Sequence, residues 1–135
     1  MIVQFFDYEQ EEANPYHGAT ASTPHELINI LEFSRAKYPL LFVASLQGEN
    51  GEELALGIGD PGFVELQSTN ALAVRPGCNP DPHQQPPTNP PYPEFACGGT
   101  PTPIPWEHTV PFPLVNQIAV DFLETGGCSK SVEWY

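Results

Sequence analysis

The chain has 135 residues, of which 17 are Asp or Glu and 4 are Lys or Arg, giving a formal net charge of −13 with neutral histidines. Arg35, Lys37, Arg75 and Lys130 are too few and too scattered to neutralise a phosphate backbone, which argues against a nucleic-acid binder. No apolar run approaches the roughly 20 residues that cross a bilayer, and the N-terminus lacks the basic start and apolar stretch of a signal peptide. We therefore expect a cytoplasmic protein with one domain over 1–135 that binds neither membrane nor nucleic acid.

The first part of the chain predicts a strand followed by a capped helix. Alternating apolar residues near Val3 indicate the strand. Thr23-Pro24-His25-Glu26 is typical of a capping box, with a hydroxyl at the N-cap, proline at the first helical position and glutamate three residues after the cap. Apolar residues then recur at helical spacing until Pro39, so the pattern predicts a helix over 24–37.

The middle of the chain predicts a β-meander. Glycine with Asn, Asp or Pro supplies two tight turns between short apolar or alternating runs. The predicted strands are Leu40–Leu46, Glu53–Ile58, Phe63–Gln67 and, as an extension, Ala71–Val74. Alternation of apolar residues in the second run predicts a sheet with one face packed against the helix and the other nearer water.

A proline-rich segment separates this meander from the last helix. Thirteen of the 17 prolines lie between Pro76 and Pro113, and the missing amide donors predict a long loop over 76–105. Pro113 then suits a first helical turn, and Gly126 a helix stop, before a short strand at 131–135 with a buried or half-buried Trp134. The predicted fold is α+β, an antiparallel β-meander sheet packed against two helices, with a long Pro-rich loop.

Motifs for catalysis or metal binding are mostly missing. The glycines around Gly57–Gly62 precede no helix, and the four histidines form no His-Glu-x-x-His or zinc-deaminase pattern. Cysteines and histidines of the loop region fit no ordinary zinc spacing and lack an electropositive setting that would activate a thiol; they are Cys78, His83, Cys97 and His108. We expect no catalytic residue, metal or cofactor. A small metal- or thiol-dependent hydrolase using these residues is the alternative, and a Cys78–Cys97 bridge would require export.

Acidic residues form two clusters, one near the N-terminus and one in the first hairpin turn. The first comprises Asp7, Glu9, Glu11 and Glu12, and the second comprises Glu49, Glu52 and Glu53. One interpretation is a solvated face that gives solubility. The other is a surface complementary to a basic cleft, where electrostatic attraction accelerates association.

The C-terminal third resembles a known family. Phe122-Leu-Glu-Thr-Gly126 ends the predicted helix, and Val132-Glu-Trp134 follows in the final strand. This arrangement resembles the closing pattern of immunity-protein family one of bacterial polymorphic toxin systems. The capped helix, the meander with Leu54-Ala-Leu-Gly-Ile-Gly59 and the loop before the last helix also look like that family's α+β plan, over most of the chain.

The resemblance implies a non-enzymatic inhibitor that binds a cognate toxin in the producing cell. Members are often paired with nucleic-acid-targeting toxins, notably deaminases and nucleases, whose substrate channels must be basic. For the contact surface we predict the carboxylates Glu49, Glu52 and Glu53 together with the loop aromatics Tyr92 and Phe95. Alternatively the carboxylates only solubilise and the aromatics cover the protein's own core. A scaffold or chaperone would instead need a broad apolar groove.

Overall fold

The structure, a computed structural model, describes residues 2–10, 12–37, 40–77 and 93–135. Its elements follow in chain order: β1 Val3–Phe6, β2 Thr20–Ala21, α1 Pro24–Lys37, β3 Phe42–Gly48, β4 Glu53–Ile58, β5 Phe63–Leu66, β6 Ala71–Leu72, β7 Glu94–Cys97, β8 Thr100–Pro103 and α2 Phe112–Thr125. A largely antiparallel sheet carries both helices on one face, which confirms the predicted α+β class. Within the described ranges, no helix has the length and hydropathy that a membrane crossing requires.

Helix α1 begins and ends where the capping pattern predicts. The Oγ1 atom of Thr23 accepts a hydrogen bond from the Glu26 amide at 3.2 Å, which satisfies one of the unpaired amides of the first turn. The Oε1 atom of Glu26 accepts in return from the hydroxyls of Ser22 and Thr23, each at 3.1 Å. The bond from Ser22, followed by that from Thr23, lowers the pKa of Glu26 below its usual 4.5. The cap thus favours the charged carboxylate at the positive end of the helix dipole.

The sheet has the order β2-β1-β3-β4-β5-β6, and its centre is the predicted meander. Strand β4 is confirmed at both ends. Strand β3 is shifted from the predicted Leu40–Leu46, because its pairing with β1 extends to Gly48 while Leu40 is 70% exposed. The short strand β2 was not predicted, and it pairs with β1 in the register Val3↔Ala21.

The main core lies between the sheet and the two helices. Leu46, Leu54 and Leu56 point to this side of the sheet and are fully buried. They meet the buried faces of α1 and α2, and the two helices also contact each other. Burial of each such side chain contributes on the order of 2 kcal/mol, so this layer holds the sheet against the helices.

Helix α2 follows the predicted pattern, whereas the predicted strand at 131–135 is reduced to the single bridge Ala73↔Trp134. Pro113 lies in the first turn, and Gly126 ends the helix with φ 74°, where its amide donates to the Phe122 carbonyl at 2.7 Å. The last residues pair back into the sheet, since Tyr135 and Leu72 exchange two backbone hydrogen bonds of 2.9 and 3.1 Å. Trp134 is half-buried against the main core, as expected.

Of the predicted loop over 76–105, residues 78–92 lie outside the described ranges, and the prediction is wrong for residues 94–103, which form the β7–β8 hairpin. Gly98 and Gly99 turn the hairpin with φ of 59° and 80°, a conformation that glycine adopts without steric penalty. Prolines occur in β8, which pairs only with β7 and so has an edge where a missing amide is tolerated. Strand β7 joins β3 through the parallel pair Phe42↔Ala96.

Candidate binding surface

The face of the sheet opposite the helices carries most of the polar strand side chains, and we call it the open face. Cross-strand register places its members in rows, which are Phe6↔Ser45↔Ala55↔Glu65 and Gln4↔Gln47↔Glu53. Because strand side chains alternate, these residues point away from the main core. The open face is therefore the side of the sheet that neither helix covers, although Ser45 and Ala55 at its centre are only 8% and 9% exposed.

Three rings cluster at one side of the open face. Phe6 and Tyr8 stack with a centroid distance of 5.6 Å and an interplanar angle of 2°. The His17 ring meets both edge-on, at 5.8 Å from Phe6 and 5.3 Å from Tyr8. The Tyr8 side chain is 58% exposed, so the cluster offers a broad aromatic surface held by its neighbours.

A groove crosses the open face beside this cluster. Its two walls are Tyr8 with Glu9 and Cys97 with Gly98, and its floor includes Ser45, Glu53 and Ala55. We call this feature the groove. Its volume is about 220 Å³, which is below the roughly 300–1,000 Å³ of small-molecule pockets. The groove thus suits a single side chain better than a cofactor.

Two carboxylates in the groove are fixed by hydrogen bonds. Oε1 of Glu9 accepts from the Gly99 amide at 3.0 Å, which ties the N-terminal turn to the β7–β8 hairpin. Oε1 of Glu53 accepts from the Ser45 hydroxyl at 2.7 Å. A carboxylate has about four acceptor positions, so each retains capacity for a further donor.

The structure separates the three carboxylates predicted to act together. Glu53 lies on the open face. Oε2 of Glu52 accepts from the Asn50 amide at 3.2 Å and lies over Gly48, on the side of the sheet that carries α2. Glu49 is exposed at the tip of the turn, where it accepts from the Ile2 amide. Successive residues of a strand point to opposite faces, which is why Glu52 and Glu53 diverge.

Of the two loop aromatics predicted to contact a partner, the structure describes only Phe95. Tyr92 lies outside the described residues. Phe95 is 0% exposed, and its ring packs edge-on against Phe63 at 4.8 Å, with Ile104 beside them. The expectation that Phe95 is an accessible anchor is therefore wrong, because it belongs to a second, smaller core. Gly57 makes room for this packing, since a Cβ there would lie 2.2 Å from the Phe63 ring.

The N-terminal acidic cluster is also divided. Asp7 is 0% exposed, so its interpretation as a surface charge is wrong. Its carboxylate accepts from the Asn14 side chain at 2.8 Å and from the Gln10 amide at 3.1 Å, and Asn14 also donates to Ser34 of α1 at 2.9 Å. This buried network attaches the N-terminal turn to α1. Glu12 is exposed, and Glu11 lies outside the described residues.

The cysteines and histidines considered for catalysis do not lie together in the part of the chain that the structure describes. Cys97 lines the groove, whereas the buried His108 has its Nδ1 atom 3.2 Å from the Ala73 carbonyl oxygen. Cys78 and His83 lie outside the described residues. Among residues 2–10, 12–37, 40–77 and 93–135, no three His, Cys, Asp or Glu side chains form a group that could hold a metal ion.

The C-terminal motif forms a closed hydrogen-bond network. Asp121 of α2 accepts through Oδ2 from the hydroxyls of Ser129 and Ser131. Nε1 of Trp134 donates to the Ser129 carbonyl at 2.9 Å, and Thr125 donates to the Asp121 carbonyl at 2.8 Å. These residues hold the chain end onto α2. The motif that carries the resemblance therefore has a structural role.

The described chain is thus a small α+β protein with carboxylates on the open face of its sheet and a C-terminus closed by hydrogen bonds. A family model described as Immunity protein Imm1 matches residues 16–135, which is most of the chain. The chain belongs to the Imm1 family of immunity proteins, which confirms the resemblance. Searches of curated proteins and of solved structures gave no match. Immunity proteins bind a cognate toxin, so family membership favours a toxin-binding protein over an enzyme.

Proposed function

We propose that this immunity protein neutralises a nucleic-acid-targeting toxin, such as a deaminase or a nuclease, by covering its substrate channel in the cytoplasm of the producing cell. The observation that carries the proposal is the net charge of −13. A channel that admits a polyanion must be lined by Lys and Arg, and an acidic inhibitor is its electrostatic complement. Opposite charge also raises the association rate, which matters for an inhibitor that must act before the toxin does.

The hairpin turn is the proposed source of part of this attraction. Glu49 is exposed at its tip, and Glu52 and Glu53 lie on either side of the sheet behind it. Long-range attraction depends on net charge rather than on one shared contact, so their divergence does not remove the effect. A Glu49/Glu52/Glu53 charge-reversed triple variant should associate more slowly with the toxin, with a weaker dependence on salt. An unchanged association rate would exclude the turn from this role.

Competition with nucleic acid tests the proposed mechanism. The purified cognate toxin domain, made inactive by substitution, is bound to a fluorescent oligonucleotide and titrated with the immunity protein. Direct covering predicts that the oligonucleotide is released in proportion to complex formation, without covalent change in either protein. A ternary complex that retains the oligonucleotide would contradict covering and would favour a conformational mechanism.

A further inference from the structure

We infer that the groove on the open face is the anchor point of the toxin complex, where it receives one Lys or Arg side chain of the toxin domain. This inference rests on the proposed function, because it takes the toxin's contact surface to be basic. The predicted surface had its centre at the hairpin turn and the loop aromatics. The groove is a different place, formed by the N-terminal turn, the centre of the sheet and the β7–β8 hairpin.

Charge complementarity identifies the occupant. Glu9 and Glu53 face the groove, and each has one carboxylate oxygen fixed by a hydrogen bond from the protein. An incoming cation therefore meets acceptors whose positions are already set, so little side-chain freedom is lost on binding.

The four Lys and Arg residues of the chain all lie outside the groove lining. Arg35 pairs with Glu32 on α1 at 3.1 Å, and Lys37 lies over the Phe33 ring of the same helix at 5.5 Å. Arg75 stacks on the Trp106 ring at 3.7 Å. The fourth, Lys130, lies beyond the end of α2 and lines a separate cleft. Among the residues that the structure describes, no Lys or Arg side chain therefore lines the groove beside its carboxylates, and a basic side chain of the toxin can take that place.

The walls and floor of the groove suit the rest of a long basic side chain. Ala55 and Val43 offer apolar contact to its methylene stem. Lys and Arg bind well at such a site because their stems are apolar and only the head of the side chain is charged. Tyr8 presents an exposed ring at the entrance, where a guanidinium or ammonium can lie over the aromatic face. Tyr and Arg are both enriched among the few contacts that dominate interface energies.

Thiol labelling of the unaltered protein tests the position of the interface. Cys97 lies in the groove wall, and Cys128 is exposed beyond α2, away from the groove. The three cysteines of the chain are labelled with a maleimide, with and without the inactive toxin domain, and the peptides that contain Cys97 and Cys128 are quantified by mass spectrometry. We expect the toxin to slow labelling of Cys97 several-fold and to leave Cys128 unchanged. Equal protection of both, or protection of Cys128 alone, would overturn the inference.

Isosteric neutralisation tests the charge contacts. In the Glu9→Gln/Glu53→Gln variant the side-chain oxygens that bond Gly99 and Ser45 are retained, while two charges are lost. The matched control is Glu124→Gln/Glu133→Gln, which removes two exposed charges outside the groove. We expect the groove variant to raise the dissociation constant by about tenfold or more, chiefly through faster dissociation, and the control to change it by no more than about threefold.

The outcomes separate this inference from the proposed function. If the parent protein binds and inhibits the toxin while the groove variant behaves as its control does, the groove is not the anchor and the proposed function is unaffected. Inhibition of the toxin without release of nucleic acid would overturn the covering mechanism, whereas protection of Cys97 would still support the groove. A parent protein that does not bind the toxin would overturn both.

Discussion

Replacement of Phe95 by alanine distinguishes a core residue from a contact residue. The side chain is 0% exposed and packs edge-on against Phe63 at 4.8 Å, with Ile104 and partly buried neighbours around it. Removal of a buried phenylalanine destabilises a protein by about 3–5 kcal/mol, through lost burial and the cavity that remains. The second core is small and lies under a hairpin that can relax, so we expect the lower end, about 3 kcal/mol.

Urea unfolding followed by circular dichroism measures this change. A loss of about 3 kcal/mol corresponds to a fall in melting temperature of roughly 10 °C for a domain of this size. The matched control is Leu40→Ala, because Leu40 is 70% exposed and its loss should change stability by less than about 0.5 kcal/mol. Full stability of Phe95→Ala combined with weaker toxin binding would refute the second core and restore Phe95 as a contact.

Three further changes test the caps and the chain end. Gly126→Ala should destabilise by about 1 kcal/mol or more because φ is 74°, whereas Gly127→Ala, at a site with open space around the added Cβ, should be nearly neutral in thermal melts. Trp134→Ala should cost about 3 kcal/mol in urea unfolding, since it removes packing and the 2.9 Å bond to Ser129; an unchanged midpoint would contradict this. Because the folded state lowers the pKa of Glu26, the stability that its charge contributes is present above pH 4.5 and is lost as the pH falls through the folded-state pKa. Glu26→Gln should therefore be less stable than the parent at pH 7, with a smaller difference at pH 3.

Local signals were sufficient to predict the helices and the centre of the sheet. The capping residues Thr23 and Glu26 act within one turn of the helix that they begin, and the glycine turns act between neighbouring strands. Such short-range chemistry can be read from the sequence because the partners are adjacent in it. The same holds for Gly126 at the end of α2.

Features that depend on distant partners were not predictable in this way. The β7–β8 hairpin is held by Phe95 against Phe63, 32 positions away, and its prolines obscured the strand pattern. In the sequence, Asp7 is one of several neighbouring acidic residues, and nothing near it indicates that its side chain is buried and bonded to Asn14. Likewise, the groove depends on the bond between Glu9 and Gly99, which no local pattern indicates. The candidate site is therefore a product of tertiary structure rather than of a motif.

The network around Asp121 and the groove lie on opposite sides of the same sheet. Residues of the groove can therefore change while the residues that close the C-terminus stay the same. The hydrogen bonds that close the C-terminus do not involve the side chains in the rows of the open face. Substitutions on the open face therefore leave these bonds, and the stability that they contribute, unchanged. If the groove contacts the toxin as inferred above, a substitution at the exposed Tyr8 would alter that contact and leave the Asp121 network in place. The same fold can in this way carry binding surfaces for different toxins.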